Sequence, residues 1–86
     1  MMKKAILIVQ LNTRTVSAVN VQKILTQYGC IIKTRLGIHD GVLNVCSDHG
    51  LVILEIVGSK KENNGLAKKL GALKGIKVKL VELPFN

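Results

Sequence analysis

Residues 66–83 read LAKKLGALKGIKVKLVEL. Leu66, Ala67, Leu70 and Leu73 fall at the three-to-four spacing of a helix stripe. Gly75 is the residue type that ends helices, because it enters the left-handed region without a Cβ clash. Ile76 to Leu83 then changes to an aliphatic segment at strand length. Helix, glycine, strand is half of a pattern, and QYGCIIKTRL at residues 27–36 shows the same order earlier. Two such halves in one short chain predict a repeated β-α-β arrangement.

The rest of the chain supplies the missing pieces. Lys4 to Leu11, KAILIVQL, is short, β-branched and apolar, as suits a strand buried on both faces. Asn12-Thr13-Arg14-Thr15 is a polar break. A helix is predicted from Val16 to Tyr28, with Val16, Val19, Val21, Ile24, Leu25 and Tyr28 apolar, Thr15 or Ser17 as its cap, and Gly29 as its end. Cys30 to Leu36 is a second strand, and Leu51 to Val57, LVILEIV, a third. Gly58-Ser59 breaks that strand. A helix over Lys60 to Leu73 follows, its start weakened by Asn63-Asn64-Gly65. Pro84 stops the last strand. The whole predicts one α+β domain over residues 1–86: a ferredoxin-like βαββαβ sandwich with a four-stranded antiparallel sheet. Strands one and three lie in its middle and both helices cover one face.

That layout has consequences for each face. Cys30, Ile32, Thr34 and Leu36 are expected toward the core, with Ile31, Lys33 and Arg35 opposite. Glu55 would share the open face with Lys33 and Arg35 and pair with one of them. Leu51, Ile53, Val57 and either Ile6-Ile8 or Leu7-Val9 would also face outward. An open face this apolar marks an interface. A homo-oligomer, dimer or tetramer, is therefore expected, joined by sheet faces or edges.

Composition narrows the function classes. The chain has 86 residues, a formal net charge of +8, one Tyr, one Phe and no Trp. Aliphatic central strands lack the aromatic platforms of RNA-recognition sheets, so nucleic acid is not an expected partner. Lys60, Lys61, Lys68, Lys69 and Lys74 read as a solvated helix rather than a phosphate-tracking face. Two cysteines make no disulfide framework and suit a reducing cytoplasm. The opening MMKKAILIVQL is read as a strand, not a signal peptide. No run approaches the roughly 20 apolar residues of a membrane helix.

The segment from Thr34 to Gly50 holds both histidines and Cys46. His39, Cys46 and His49 offer imidazole and thiolate donors suited to nickel or zinc, and a hairpin could bring the histidines together across its base. Nucleophilic catalysis would need Cys46 beside His39 or His49, with Asp40 or Asp48 as orienting group. Asp, Gly, Asn and Ser are equally what a hairpin connection uses to turn. No phosphate-binding loop, dinucleotide fingerprint or zinc-ribbon spacing is present. Cys30 is expected to be a small buried hydrophobe.

Three segments carry a family resemblance: Thr34-Arg35-Leu36-Gly37-Ile38, LVILEIVG at residues 51–58, and LAKKLGALKGIKVKLVEL at 66–83. With the polar break at Asn12-Thr13-Arg14 and the helix end Tyr28-Gly29, the chain resembles the iron-only hydrogenase system regulators, small ACT-like domains of ferredoxin fold. The resemblance implies a regulatory module without catalysis. ACT-like domains bind small molecules near the loop after strand one, which implies ligand-binding residues Asn12, Thr13, Arg14 and Arg35. Amino-acid-binding ACT domains place a glycine in that loop, and this chain has none there. The domain is also similar to the sensor half of nickel-responsive repressors, the alternative reading for His39, Cys46 and His49. The dense histidine pattern and DNA-binding segment of those repressors are absent. No cofactor is required by the sequence.

Overall fold

The computed structural model describes residues 3–12, 14–39 and 49–85. In chain order these form β1 (Lys3–Leu11), α1 (Arg14–Gln27), a 3-10 turn (Gly29–Ile31), β2 (Ile32–His39), β3 (Gly50–Ile56), α2 (Lys60–Gly71) and β4 (Ile76–Pro84). The four strands make one antiparallel sheet in the order β2-β3-β1-β4. This is the ferredoxin-like arrangement, with β1 and β3 central. No helix among the described residues is long and apolar enough to cross a membrane.

Period-two alternation in β1 decides which face is buried. Ala5, Leu7, Val9 and Leu11 are buried, and they pack with Leu54 and Ile56 of β3, Ile76 of β4, Val21 and Leu25 of α1, and Leu66 and Leu70 of α2. One face of the sheet thus meets both helices. The α1 stripe is Val21, Ile24, Leu25 and Tyr28, the i, i+3, i+4, i+7 spacing, while Val19 lies off it at 62% exposed. The side chain of Val16 lies outside the described residues. α1 starts at Arg14, so Thr15 and Ser17 sit within the helix rather than at its cap.

α2 begins firmly despite Asn63-Asn64-Gly65. Ser59 caps it: its hydroxyl accepts the Glu62 N–H at 3.1 Å, and the Glu62 carboxylate accepts the Ser59 N–H at 2.8 Å. This reciprocal box satisfies two orphan donors and offsets the poor intrinsic propensity. After α2, Gly75 takes φ 78°, the left-handed turn into β4 that a side chain would resist. Its carbonyl accepts the Asn12 N–H at 2.8 Å, tying the end of β1 to the start of β4.

Four expectations on β2 and its neighbours are corrected. The strand starts at Ile32, and a register shift between Ile32 and Thr34 places an extra residue in it. Such a bulge reverses the facing of everything beyond it. Leu36 therefore opposes Ile53 on the open face, and Arg35 opposes Leu54 on the helix side. Cys30 is exposed in the 3-10 turn, because Ile31 and Ile32 supply the burial there. Glu55 pairs with neither Lys33 nor Arg35 but with Lys4, at 2.5 Å.

That pair and the capping box make stability acid-sensitive. The Lys4 hydrogen bond holds the Glu55 carboxyl below the ordinary 4.5, with the Lys4 and Lys33 charges adding and burial opposing. The Ser59 backbone N–H, then its hydroxyl, lowers Glu62 similarly. Both folded values lie below the unfolded ones, so the unfolded chain binds more protons in this range. The stabilisation is present above the unfolded value and is lost as pH falls through the folded ones. In denaturant titrations the midpoint should hold steady well above pH 4.5 and drop below it. Glu55→Gln should flatten part of that drop; an unchanged acid slope would refute the assignment.

Candidate functional site

One end of the sheet gathers the end of β1, the start of α1, the end of β2 and the start of β3. Between α1 and the β2–β3 pair lies a cavity of about 310 Å³, at the low end of small-molecule sites. Leu11, Val21 and Val52 are among its apolar walls, with Gln22 of α1 also present. Among the described residues, Arg35 is the only charged one lining it. The bulge in β2 puts it there by turning position 35 toward the helices. Among the described residues Arg35 has no hydrogen-bond or ion-pair partner. A guanidinium without a carboxylate beside an apolar hollow offers planar, bidentate donors to an incoming anion.

A second, smaller cavity of about 230 Å³ opens next to it, lined by Gln10, Asn12, His49, Gly50 and Leu51. Gly50 and Leu51 line both cavities, so Asn12 and Arg35 flank the same two residues of β3. Asn12 is fixed by its backbone bond to Gly75 and by the Gln10 side-chain amide, which donates to its Oδ1 at 3.2 Å. Of the other expected ligand contacts, Thr13 lies outside the described residues. Arg14 is the first residue of α1. Sequence reasoning missed the α1 wall of Ala18, Val21 and Gln22; the apolar stripe implies Val21 but nothing in the pattern marks a hollow beside it.

At the hairpin base the described residues include two of the three expected metal ligands, His39 and His49. β2 runs to His39, longer than the expected end at Leu36, and His39 opposes Gly50 in the strand register. The backbones of His39 and His49 are thus brought to the same end of the β2–β3 pair. Cys46, with Asp40 and Asp48, lies outside the described residues. Among the described residues no three His, Cys, Asp or Glu side chains converge.

Comparison with solved structures bears on the fold. An uncharacterised protein from Thermotoga maritima superposes with a TM-score of 0.81 at 24% identity, over 96% of this chain and all of that one (100%). CPII from Thiomonas intermedia K12, a nitrogen regulatory PII-like protein, superposes in its apo form with a TM-score of 0.66 at 10% identity, over 95% of this chain and 90% of its own. CPII bound to ADP, AMP and bicarbonate gives 0.59 at 11% identity, over 99% and 97%. At these identities the likeness is one of fold. No protein-family model matches the sequence, and no curated protein matches it significantly.

Proposed function

We propose that this chain is a small regulatory module without catalysis, acting as a homo-oligomer and taking a small anionic ligand beside Arg35. Within that class it is of the iron-only hydrogenase system regulator kind that its R-L-G segment and its second half resemble. The observation that carries the reading is Arg35, without a hydrogen-bond or ion-pair partner among the described residues and the one charged residue among them that lines its cavity, with Asn12 across Gly50-Leu51. Its neighbour in fold, CPII, is bound to ADP, AMP and bicarbonate, all anions. The same class of ligand suits a guanidinium here. At about 310 Å³ the cavity lies at the low end of small-molecule sites, so part of a nucleotide whose phosphate meets Arg35 would extend toward solvent or a second subunit.

The open sheet face supports the oligomer. Ile6, Ile8, Leu51, Ile53 and Val81 line its middle half-buried, and Leu36 and Ile38 beside them are 52% and 44% exposed. A contiguous aliphatic face of this kind is costly in water and is removed by association. The two sheet edges differ as well. β4 carries Lys77, Lys79 and Pro84, which discourage strand addition, whereas β2 beyond its bulge has only Arg35 as a charge.

Isothermal titration with AMP, ADP and bicarbonate tests the ligand reading. At least one should bind saturably, and Arg35→Ala should weaken it at least about tenfold, the worth of a charged hydrogen bond. An unchanged affinity in Arg35→Ala, or no binding by any of the three, would refute the assignment.

A further inference from the structure

The opposite end of the sheet, where β1 starts, β3 ends and α2 begins, holds a cavity of about 470 Å³. Asn63 lines it and is only 5% exposed. Its Oδ1 accepts the Gly58 N–H at 3.1 Å, so its two Nδ2 hydrogens are the groups left over. No partner for them exists among the described residues. A buried amide donor without a partner is costly enough to demand an explanation.

The surroundings favour negative charge. Lys60 lines the same cavity and has no ion-pair partner among the described residues. Its backbone N–H belongs to the first turn of α2, where no intrahelical acceptor is available, and the helix dipole is positive at that end. Lys3 is also on the wall, 3.9 Å from Glu82, a loose contact that leaves it free to turn. Two carboxylates oppose this: Glu82 on the wall, held toward Lys3, and Glu62, turned back onto the Ser59 N–H. Gly58 preserves the geometry. A Cβ there would come within 2.9 Å of both Asn63 Oδ1 and Ile31 Cγ2, so any side chain would push Asn63 from its place.

We propose that this cavity is a second anion site, in which a phosphoryl or carboxylate group is held by Asn63 Nδ2, the Lys60 ammonium and the N-terminal end of α2. It is separate from the Arg35 cavity and stands whether or not that cavity binds a ligand. The strand–Gly–Ser–Lys–helix order is the same physical device by which other helix N-termini take phosphate, with the buried Asn63 added as a donor from below.

Inorganic phosphate is the probe, with acetate as a parallel arm to separate phosphoryl from carboxylate preference. In ¹H–¹⁵N spectra of the full chain, the Asn63 side-chain amide pair and the Lys60 backbone amide should move together and saturate. Asn63→Asp keeps the acceptor for Gly58 but replaces the donors with charge; it should weaken binding at least about tenfold. Lys60→Gln, at an exposed side chain that folding does not need, should weaken it in the same direction. Arg35→Ala should leave these shifts unaltered. Shifts that climb without saturating, or that persist unchanged in Lys60→Gln, would overturn the proposal and leave water as the partner of Asn63. If Asn63→Asp loses its helical circular dichroism, Lys60→Gln alone decides.

Discussion

Leu54→Ala should lower the unfolding free energy by about 2–5 kcal/mol, the range for a leucine truncated in a closed core. Leu54 is fully buried, opposes Leu7 in the β1–β3 register, and lies at the centre of the cluster shared by both helices. A domain of this size is stabilised by roughly 5–15 kcal/mol, so the loss is a large share of the total. The urea midpoint should fall with little change in slope. A loss under about 1 kcal/mol would mean that the site collapses or that the packing is not as described. The effect should be smaller at Leu36 or Ile38, which stand on the open face.

Ile53→Lys should act on assembly instead. Ile53 opposes Ile8 on one side and Leu36 on the other, so it sits mid-way across the open face. In an isolated subunit a lysine there can snorkel to water, and folding should change by no more than about 1 kcal/mol. In an oligomer closed over that face it buries an unpaired charge, a cost of several kcal/mol that amounts to dissociation. Sedimentation should show a multiple of 9.4 kDa for the parent chain and 9.4 kDa for the variant. A parent chain that is monomeric at high concentration, or a variant that stays assembled, would refute the open-face interface.

The fold was legible because the patterns that dictate it are local and periodic. β1 and β3 carry the apolar runs of central strands, and Leu66 with Leu70 fixes the α2 stripe. The repeat of helix, glycine and strand then leaves few ways to connect four strands. β2 was legible only in outline. A bulge takes one residue and leaves no mark in KTRLGI, yet it moves Arg35 from the open face to the helix side and Leu36 the other way. Arg35 was singled out from the sequence by resemblance; its position beside a hollow depends on that one-residue shift. α2 shows the opposite case. The S-x-x-E signature of a capping box was present at Ser59–Glu62 but is outweighed, in propensity alone, by Asn63-Asn64-Gly65. Asn63 then proves to be a buried bracket for Gly58 rather than a weakness. Buried polar groups of this kind answer to tertiary contacts, which no window of sequence contains.

The proposed ligand site, Arg35 with the residues around Gly50, is tested most directly by NMR. ¹⁵N-labelled protein would be titrated with AMP, ADP and bicarbonate and followed at the Arg35 side-chain Nε and at the Gly37, Gly50 and Leu51 amides. These signals should move together and saturate for at least one of the three, and Arg35→Ala should abolish the movement at Gly50 and Leu51. Shifts confined to exposed lysines, with Arg35 and the Gly50-Leu51 amides unmoved, would contradict a ligand site there.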